Sequence, residues 1–179
     1  MTRIKPIEKE EASDDVKIIY RDIEAAFGMV PNLFKTYAHF PALLRMNWEK
    51  TKALMMGGEL PRELKESIAV VVSAANVCNY CVAAHSMALQ MMGFSKKRID
   101  ALTKNIEKSE MSPRDRKILQ YAKKATLTPH KITDRETDEL KSLGMTDSQI
   151  VEILGVMELF TGYNKFLDTL AVEIDFPEV

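Results

Sequence analysis

Apolar residues recur along most of this chain at three- and four-residue steps, the period of a helix with one buried face. Leu64, Ile68, Val71, Val72 and Ala75 form one such stripe. The run "IAVVV" inside it has strand propensity. The unbroken stretch from Pro61 to Val77 is too long for a typical strand, so the pattern predicts a helix. The polar punctuation agrees. "SDDVKIIYRDIEAAFG" opens on Ser13 and Asp14 as cap candidates and closes on Gly28. Asn32 stands where it would cap a helix carrying Leu33, Phe34 and Tyr37, which Pro41 then breaks or restarts. Ser112-Pro113 sets a cap before a first-turn proline. Thr133…Glu136 and Thr146…Gln149 both fit the capping box, in which two side chains satisfy free amides at a helix start. The last helix is expected to run from about Asp147 into the low 170s. Nearly every segment reads as helix, which predicts an all-α fold.

The pattern repeats faintly. "PRELK" at 61–65 resembles "PRDRK" at 113–117, and "GFSKKRI" at 93–99 resembles "GMTDSQI" at 144–150, offset by 52 and 51 residues. A duplicated helical unit would account for both offsets, as would two unrelated helix–turn–helix connections that share common punctuation. A duplication divides one domain, residues 1–179, into a core of about 58–95 and a second helical half of about 112–174. No linker or low-complexity run interrupts it.

Composition narrows the function classes. The 179 residues carry 25 basic and 26 acidic side chains, with 46% apolar content. A balance so close to neutral gives no electrostatic reason to expect nucleic acid or an anionic membrane as partner. The first residues, "MTRIKPIEKEEASDD", lack the apolar core of a secretory signal. The most apolar late stretch, 150–166, is interrupted by Glu152, Glu158 and Lys165, which argues against a membrane span. The expectation is a cytoplasmic protein, whose thiols are kept reduced.

That expectation bears on "NVCNYCVAAHSMAL" at 76–89, which holds both cysteines of the chain, Cys78 and Cys81, and one of its three histidines, His85. Residues three or four apart on a helix share a face, with Cβ atoms roughly 5–6 Å apart. A Cys78–Cys81 disulfide then needs only modest adjustment, and His85 lies one turn beyond Cys81. A helix beginning near Cys78 would turn free amides toward a thiolate at Cys81. An ordinary thiol, with a pKa of about 8.5, is only a few per cent thiolate at neutral pH, and only the thiolate attacks peroxides and disulfides. Two cysteines permit a cycle in which one is oxidised to sulfenic acid and the other condenses with it before over-oxidation. C-x-x-C alone also suits zinc. Cys78, Cys81 and His85 would supply three ligands and Glu66, His39 or His130 a fourth, but no second ligand pair brackets a loop. Two packed core cysteines are the plainest alternative.

The spacing of Glu66, Cys78, Cys81 and His85 resembles the motif of the AhpD-like alkylhydroperoxidases, within the carboxymuconolactone decarboxylase superfamily. In that motif a glutamate precedes C-x-x-C by twelve residues and a histidine follows four residues after the second cysteine. The flanks are similar too: "GELPRELKESIAVVVSAANVCNYCVAAHSMALQMMGFS" at 58–95, the lead-in "VPNLFKTYAHFPALL" at 30–44, and "YNKFLDTLAVEID" at 163–175. The likeness covers most of residues 30–175 and is nearest the peroxidase-related members. It implies an AhpD-like all-α fold assembled into trimers or hexamers. It also implies a thiol peroxidase that reduces hydrogen peroxide or organic hydroperoxides without metal, haem or flavin. Cys81 would attack the peroxide, Cys78 would resolve the intermediate, and Glu66 with His85 would relay protons. Electrons would come from a dithiol partner such as a lipoyl domain or a thioredoxin-like protein. Tyr80 stands where the founding enzyme type has a histidine; with a free pKa of about 10 it can donate a hydrogen bond but cannot act as a base near neutrality. A decarboxylase of the same fold, or a zinc or redox-sensing module without turnover, are the competing readings.

On a straight helix Glu66 would lie roughly 18 Å from Cys78. It joins the site only if the chain folds back near Asn76 and Asn79. Met87, Met91 and Met92 follow at helical spacing and read as core filling, with the lining of an apolar channel as the sharper alternative. Trp48 reads as core or subunit contact, and His39 as a helix-end or interface residue.

Overall fold

The computed structural model describes residues 2–176 and contains, among them, nine α-helices and no strand. They are α1 (Asp14–Phe27), α2 (Asn32–Tyr37), α3 (Pro41–Thr51), α4 (Arg62–Ala75), α5 (Asn79–Met91), α6 (Lys96–Lys104), α7 (Pro113–Leu127), α8 (Asp134–Ser142) and α9 (Asp147–Leu170). A π-helical turn at Lys52–Met56 extends α3.

The centre is α4. Every residue from Leu64 to Ser73 is buried, so the helix has no solvent face through that stretch. It packs chiefly against α5, α7 and α9. Ile68, Ala69, Val70 and Val72 are fully enclosed; truncating a residue such as Ile68 to Ala costs about 2–5 kcal/mol. Burial this complete forces the polar residues of α4 to find partners. Lys65 pairs with Glu152 of α9 at 2.6 Å, both buried, and Glu152 also accepts from the Glu59 and Leu60 amides. Gly58, at φ +78 to +90 like its left-handed glycine counterparts at helix ends, sits at φ +81, and a Cβ there would lie 2.6 Å from the Glu152 carboxyl carbon. Only glycine fits that approach.

The caps read from sequence are present. Ser13 caps α1, Ser112 caps α7 with Pro113 at the first position, and Thr133 and Thr146 close capping boxes with Glu136 and Gln149. Two boundaries differ. Pro31 holds the cap position of α2 and Asn32 is its first helical residue; the Asn32 amide donates to the Asp175 carboxylate at 2.7 Å instead. The helix expected over 61–77 ends at Ala75, because Val77 turns into the left-handed region at φ +62.

The repeat has a geometric counterpart. Gly93 and Gly144 both adopt positive φ. Phe94 N–H bonds Leu89 O, and Met145 N–H bonds Leu140 O, closing the same six-residue C-terminal motif. Ser95 and Thr146 then cap the next helices. Helices α4–α5–α6 thus correspond in order to α7–α8–α9, and the division near residues 58–95 and 112–174 is our proposal for how the domain is built. Trp48 is core: it is 1% exposed, stacks edge-on with Phe27 and Phe34, and donates to Asp22. His39 is exposed and bonds the Lys5 carbonyl.

Candidate active site

The turn at Asn76–Cys78 reverses the chain, so α5 runs back along α4. Cys78 is the residue before α5 and occupies its cap position, while Cys81 lies in the first turn. Both thiols are buried and free. The reversal brings His85, one turn further along α5, beside Glu66 of α4. His85 Nδ1 meets Glu66 Oε2 at 2.5 Å, and Arg62 Nε donates to Glu66 Oε1 at 2.6 Å. Arg62 also donates to the Met55 carbonyl in the π-helical turn at 3.1 Å. The Phe160 ring stands edge-on to the His85 ring at 4.3 Å.

Glu66 is 1% exposed. Burial alone would push its carboxyl up, but the charge and hydrogen bonds of His85 and Arg62 outweigh it and hold the group below the ordinary carboxylate value. Glu66 is therefore an anion at neutral pH and accepts the Nδ1 proton. That leaves Nε2 as the nitrogen that gives or takes a proton, and among the described residues it has no hydrogen-bond partner.

The thiols titrate as a pair. A hydrogen bond from Cys81 favours the charge on Cys78 and, against burial, lowers the Cys78 thiol. The same bond, together with burial and the Cys78 charge, pushes the Cys81 thiol well up. The sequence assigned the benefit of the helix start to Cys81. Because α5 begins at Asn79, the cap residue Cys78 receives it first.

Cys81, His85, Glu66, Arg62 and Tyr80 line one cavity of about 320 Å3; Cys78 lies behind it. The remaining wall is mostly apolar and includes Met29, Met55, Met87, Met91 and Met92. Met87, Met91 and Met92 all line the cavity, the sharper of the two readings; Met87 and Met91 are not core filling, while Met92 is half-buried and also packs against the core. Tyr80 closes one edge. Its hydroxyl donates to Asp175 at 2.8 Å and accepts from the Leu33 amide at 3.2 Å, and burial with the Asp175 charge pushes the phenol up. Phe176 lies edge-on against its ring.

Sequence reasoning missed a polar cluster at Cys81. Ser73 and Asn164, both 0% exposed, reach the Cys81 thiol from α4 and α9. Asn164 Nδ2 donates to Ser73 Oγ at 3.0 Å, and Asn76 Nδ2 donates to Asn164 Oδ1 at 3.0 Å. The available signal was a serine and an asparagine at inward positions of apolar helices. Among the described residues no three His, Cys, Asp or Glu side chains are disposed to hold a metal ion, and no helix is long and apolar enough to cross a membrane.

Residues 40–124 match the carboxymuconolactone decarboxylase family. An alkyl hydroperoxide reductase of Mycobacterium tuberculosis is 28% identical over 93 residues, which is 52% of this chain and 27% of that relative. The chain thus aligns with about a quarter of that protein's length. A peroxidase-related protein with an alkylhydroperoxidase AhpD core from Ralstonia eutropha superposes with a TM-score of 0.89 at 29% identity, over 97% of this chain and 92% of the other. A peroxidase-related protein from Silicibacter gives a TM-score of 0.87 at 28% identity, over 96% and 91%. That family's match spans α4, the turn and α5, and the chain shares its fold along nearly its whole length with these AhpD-core and peroxidase-related proteins.

Proposed function

We propose that the protein is a thiol-dependent peroxidase acting through a Cys78–Cys81 disulfide. One observation carries the reading: a thiol and a histidine oriented by a buried carboxylate line one apolar cavity, and a second, fully buried thiol hydrogen-bonds the first. Cys81 faces that cavity and meets the peroxide. The charge it needs is one proton transfer away, along its hydrogen bond to Cys78, whose thiol that bond holds below its ordinary value.

As Cys81 sulfur attacks the terminal peroxide oxygen, its proton passes to Cys78 and the O–O bond breaks. The leaving alkoxide, or hydroxide when the substrate is hydrogen peroxide, takes a proton from Nε2 of His85, the imidazole that Glu66 orients through Nδ1. Cys81 is left as a sulfenic acid. Cys78 sulfur then attacks Cys81 sulfur, the S–O bond breaks, and the hydroxyl leaves with the Cys78 proton as water. Two electrons from a dithiol protein, a lipoyl domain or a thioredoxin-like partner, return the disulfide to two thiols, and the medium reprotonates His85. The names of the relatives support the peroxide class. Assembly into a homo-oligomer, trimer or hexamer, and a cytoplasmic setting belong to the same proposal.

The test is a thiol count with intact-mass measurement after one equivalent of cumene hydroperoxide. Wild type should lose both thiols and two mass units. Cys78→Ser should hold one added oxygen on Cys81, and Cys81→Ser should barely react. Reaction of all three no faster than free cysteine overturns the proposal, and a lactone-acid decarboxylation assay then becomes the next experiment.

A further inference from the structure

Ser73 and Asn164 are uncharged polar residues in the most enclosed part of the core, where an unsatisfied polar group is costly. Counting their donors shows what they face. The Asn164 carboxamide is fixed in one orientation, because Asn76 Nδ2 donates to its oxygen at 3.0 Å. Its nitrogen therefore carries both remaining protons. One goes to Ser73 Oγ at 3.0 Å. Ser73 Oγ thus accepts, and its own hydroxyl proton is free to point elsewhere. The Asn164 and Ser73 side chains, so linked, both adjoin the buried Cys81 thiol, and each has a proton left to offer it.

We propose that Asn164 and Ser73 form a two-donor cradle that stabilises negative charge on Cys81, with Asn76 as the positioning residue that holds the cradle's orientation. This rests on the peroxidase reading only for its use, not for its existence. The Cys81 sulfur needs such a cradle because burial and any charge on the neighbouring Cys78 both oppose charge on it. When the proton moves from Cys81 to Cys78 during attack, two preset donors meet the transferred charge without rearrangement. Preset donors aimed at developing charge in a dry site are an effective form of electrostatic stabilisation. Each donor comes from a different helix, α4 and α9, and the positioning residue from the α4–α5 turn. The cradle therefore also ties the reactive thiol to the helix pair that the buried Lys65–Glu152 bridge locks together.

The experiment reads the thiolate directly. In a Cys78→Ser background a single thiol titrates, and its absorbance near 240 nm is followed against pH. Ser73→Ala removes one donor with a minimal change of volume, and Asn164→Leu removes the other. Each should move the Cys81 midpoint upward by about one pH unit or more, a tenfold loss of thiolate at fixed pH. Asn76→Ala should move it upward by less. Circular dichroism confirms folding; should Asn164→Leu not fold, Ser73→Ala decides alone. An unmoved midpoint in folded Ser73→Ala overturns the cradle. Because no peroxide is used, failure of the peroxidase reading would show separately: a shifted midpoint with no peroxide reaction leaves the cradle standing and removes its proposed use.

Discussion

At the scale of single residues, the buried carboxylate decides what His85 can do. Glu66 holds the Nδ1 proton and Arg62 holds Glu66, so the imidazole presents Nε2 to the cavity chemistry. A neutral Gln at 66 keeps the shape but removes the carboxylate that faces Nδ1 of His85. We expect Glu66→Gln to slow peroxide reduction by about 10²-fold or more, within the range of positioned acid–base catalysis. His85→Gln should lose at least as much. The two act as one unit, so the double variant should be no slower than His85→Gln alone. Single-turnover rates of disulfide formation measure this. Losses that multiply in the double variant would mean that Glu66 and His85 act separately.

At the scale of elements, the α4–α5 turn brings this pair together, and its sharpest feature is Val77. A β-branched residue at φ +62 is a backbone outlier, costing about 1–2 kcal/mol. Its side chain is 77% exposed, so packing returns little. Val77→Asn, a residue that tolerates the left-handed region, should stabilise the protein by about 1 kcal/mol and raise the melting temperature by about 2–4 °C. A melting temperature that stays or falls would show that Val77 is held for a contact other than those within this chain. The turn also marks the boundary of what the sequence made legible. The caps at Ser13, Ser112, Thr133 and Thr146 and the glycine stop at Gly28 are local patterns, and they read correctly because each is satisfied within a few residues; the Asn32 cap did not, because its amide is taken by the distant Asp175. The need for a reversal before Asn79 was also legible, since Glu66 could reach the site no other way. Val77 as its pivot was not, because propensity argues against valine there. Nor was the choice between core and cavity wall for Met87, Met91 and Met92, or the meeting of Ser73 with Asn164. Those depend on which face of α5 meets α4 and on how α9 crosses both, which are properties of packing between distant segments.

At the scale of the whole molecule, titrating groups set the pH range in which the fold and the site coexist. Two buried carboxylates lie on α4 and α9, Glu66 in the cavity wall and Glu152 beneath the Gly58 turn. Burial pushes both up, but their cationic partners and, for Glu152, backbone amides outweigh it and hold both below the ordinary value of 4.5. A group lowered on folding contributes stability that is complete above its unfolded value and is lost as pH falls through its folded one. The acid edge should therefore begin below about pH 4.5, with up to about 1.4 kcal/mol lost per pH unit for each extra proton that the unfolded chain binds. On the other side, burial pushes the phenols of Tyr20, Tyr37, Tyr80 and Tyr163 above their ordinary value of 10. Groups raised on folding contribute stability that is complete below the unfolded value and is lost as pH rises, so the alkaline edge should begin near pH 10. Urea unfolding at half-unit steps from pH 3 to pH 11 should give a plateau between these edges. Tyr20→Phe should soften the alkaline edge and leave the acid edge untouched, because its hydroxyl donates to the Ile7 carbonyl and the residue lies outside the cavity wall. Glu66→Gln should soften the acid edge. An acid edge unchanged in Glu66→Gln would mean that Glu66 keeps the same proton affinity in the unfolded chain, and would remove the electrostatic account of how His85 is held.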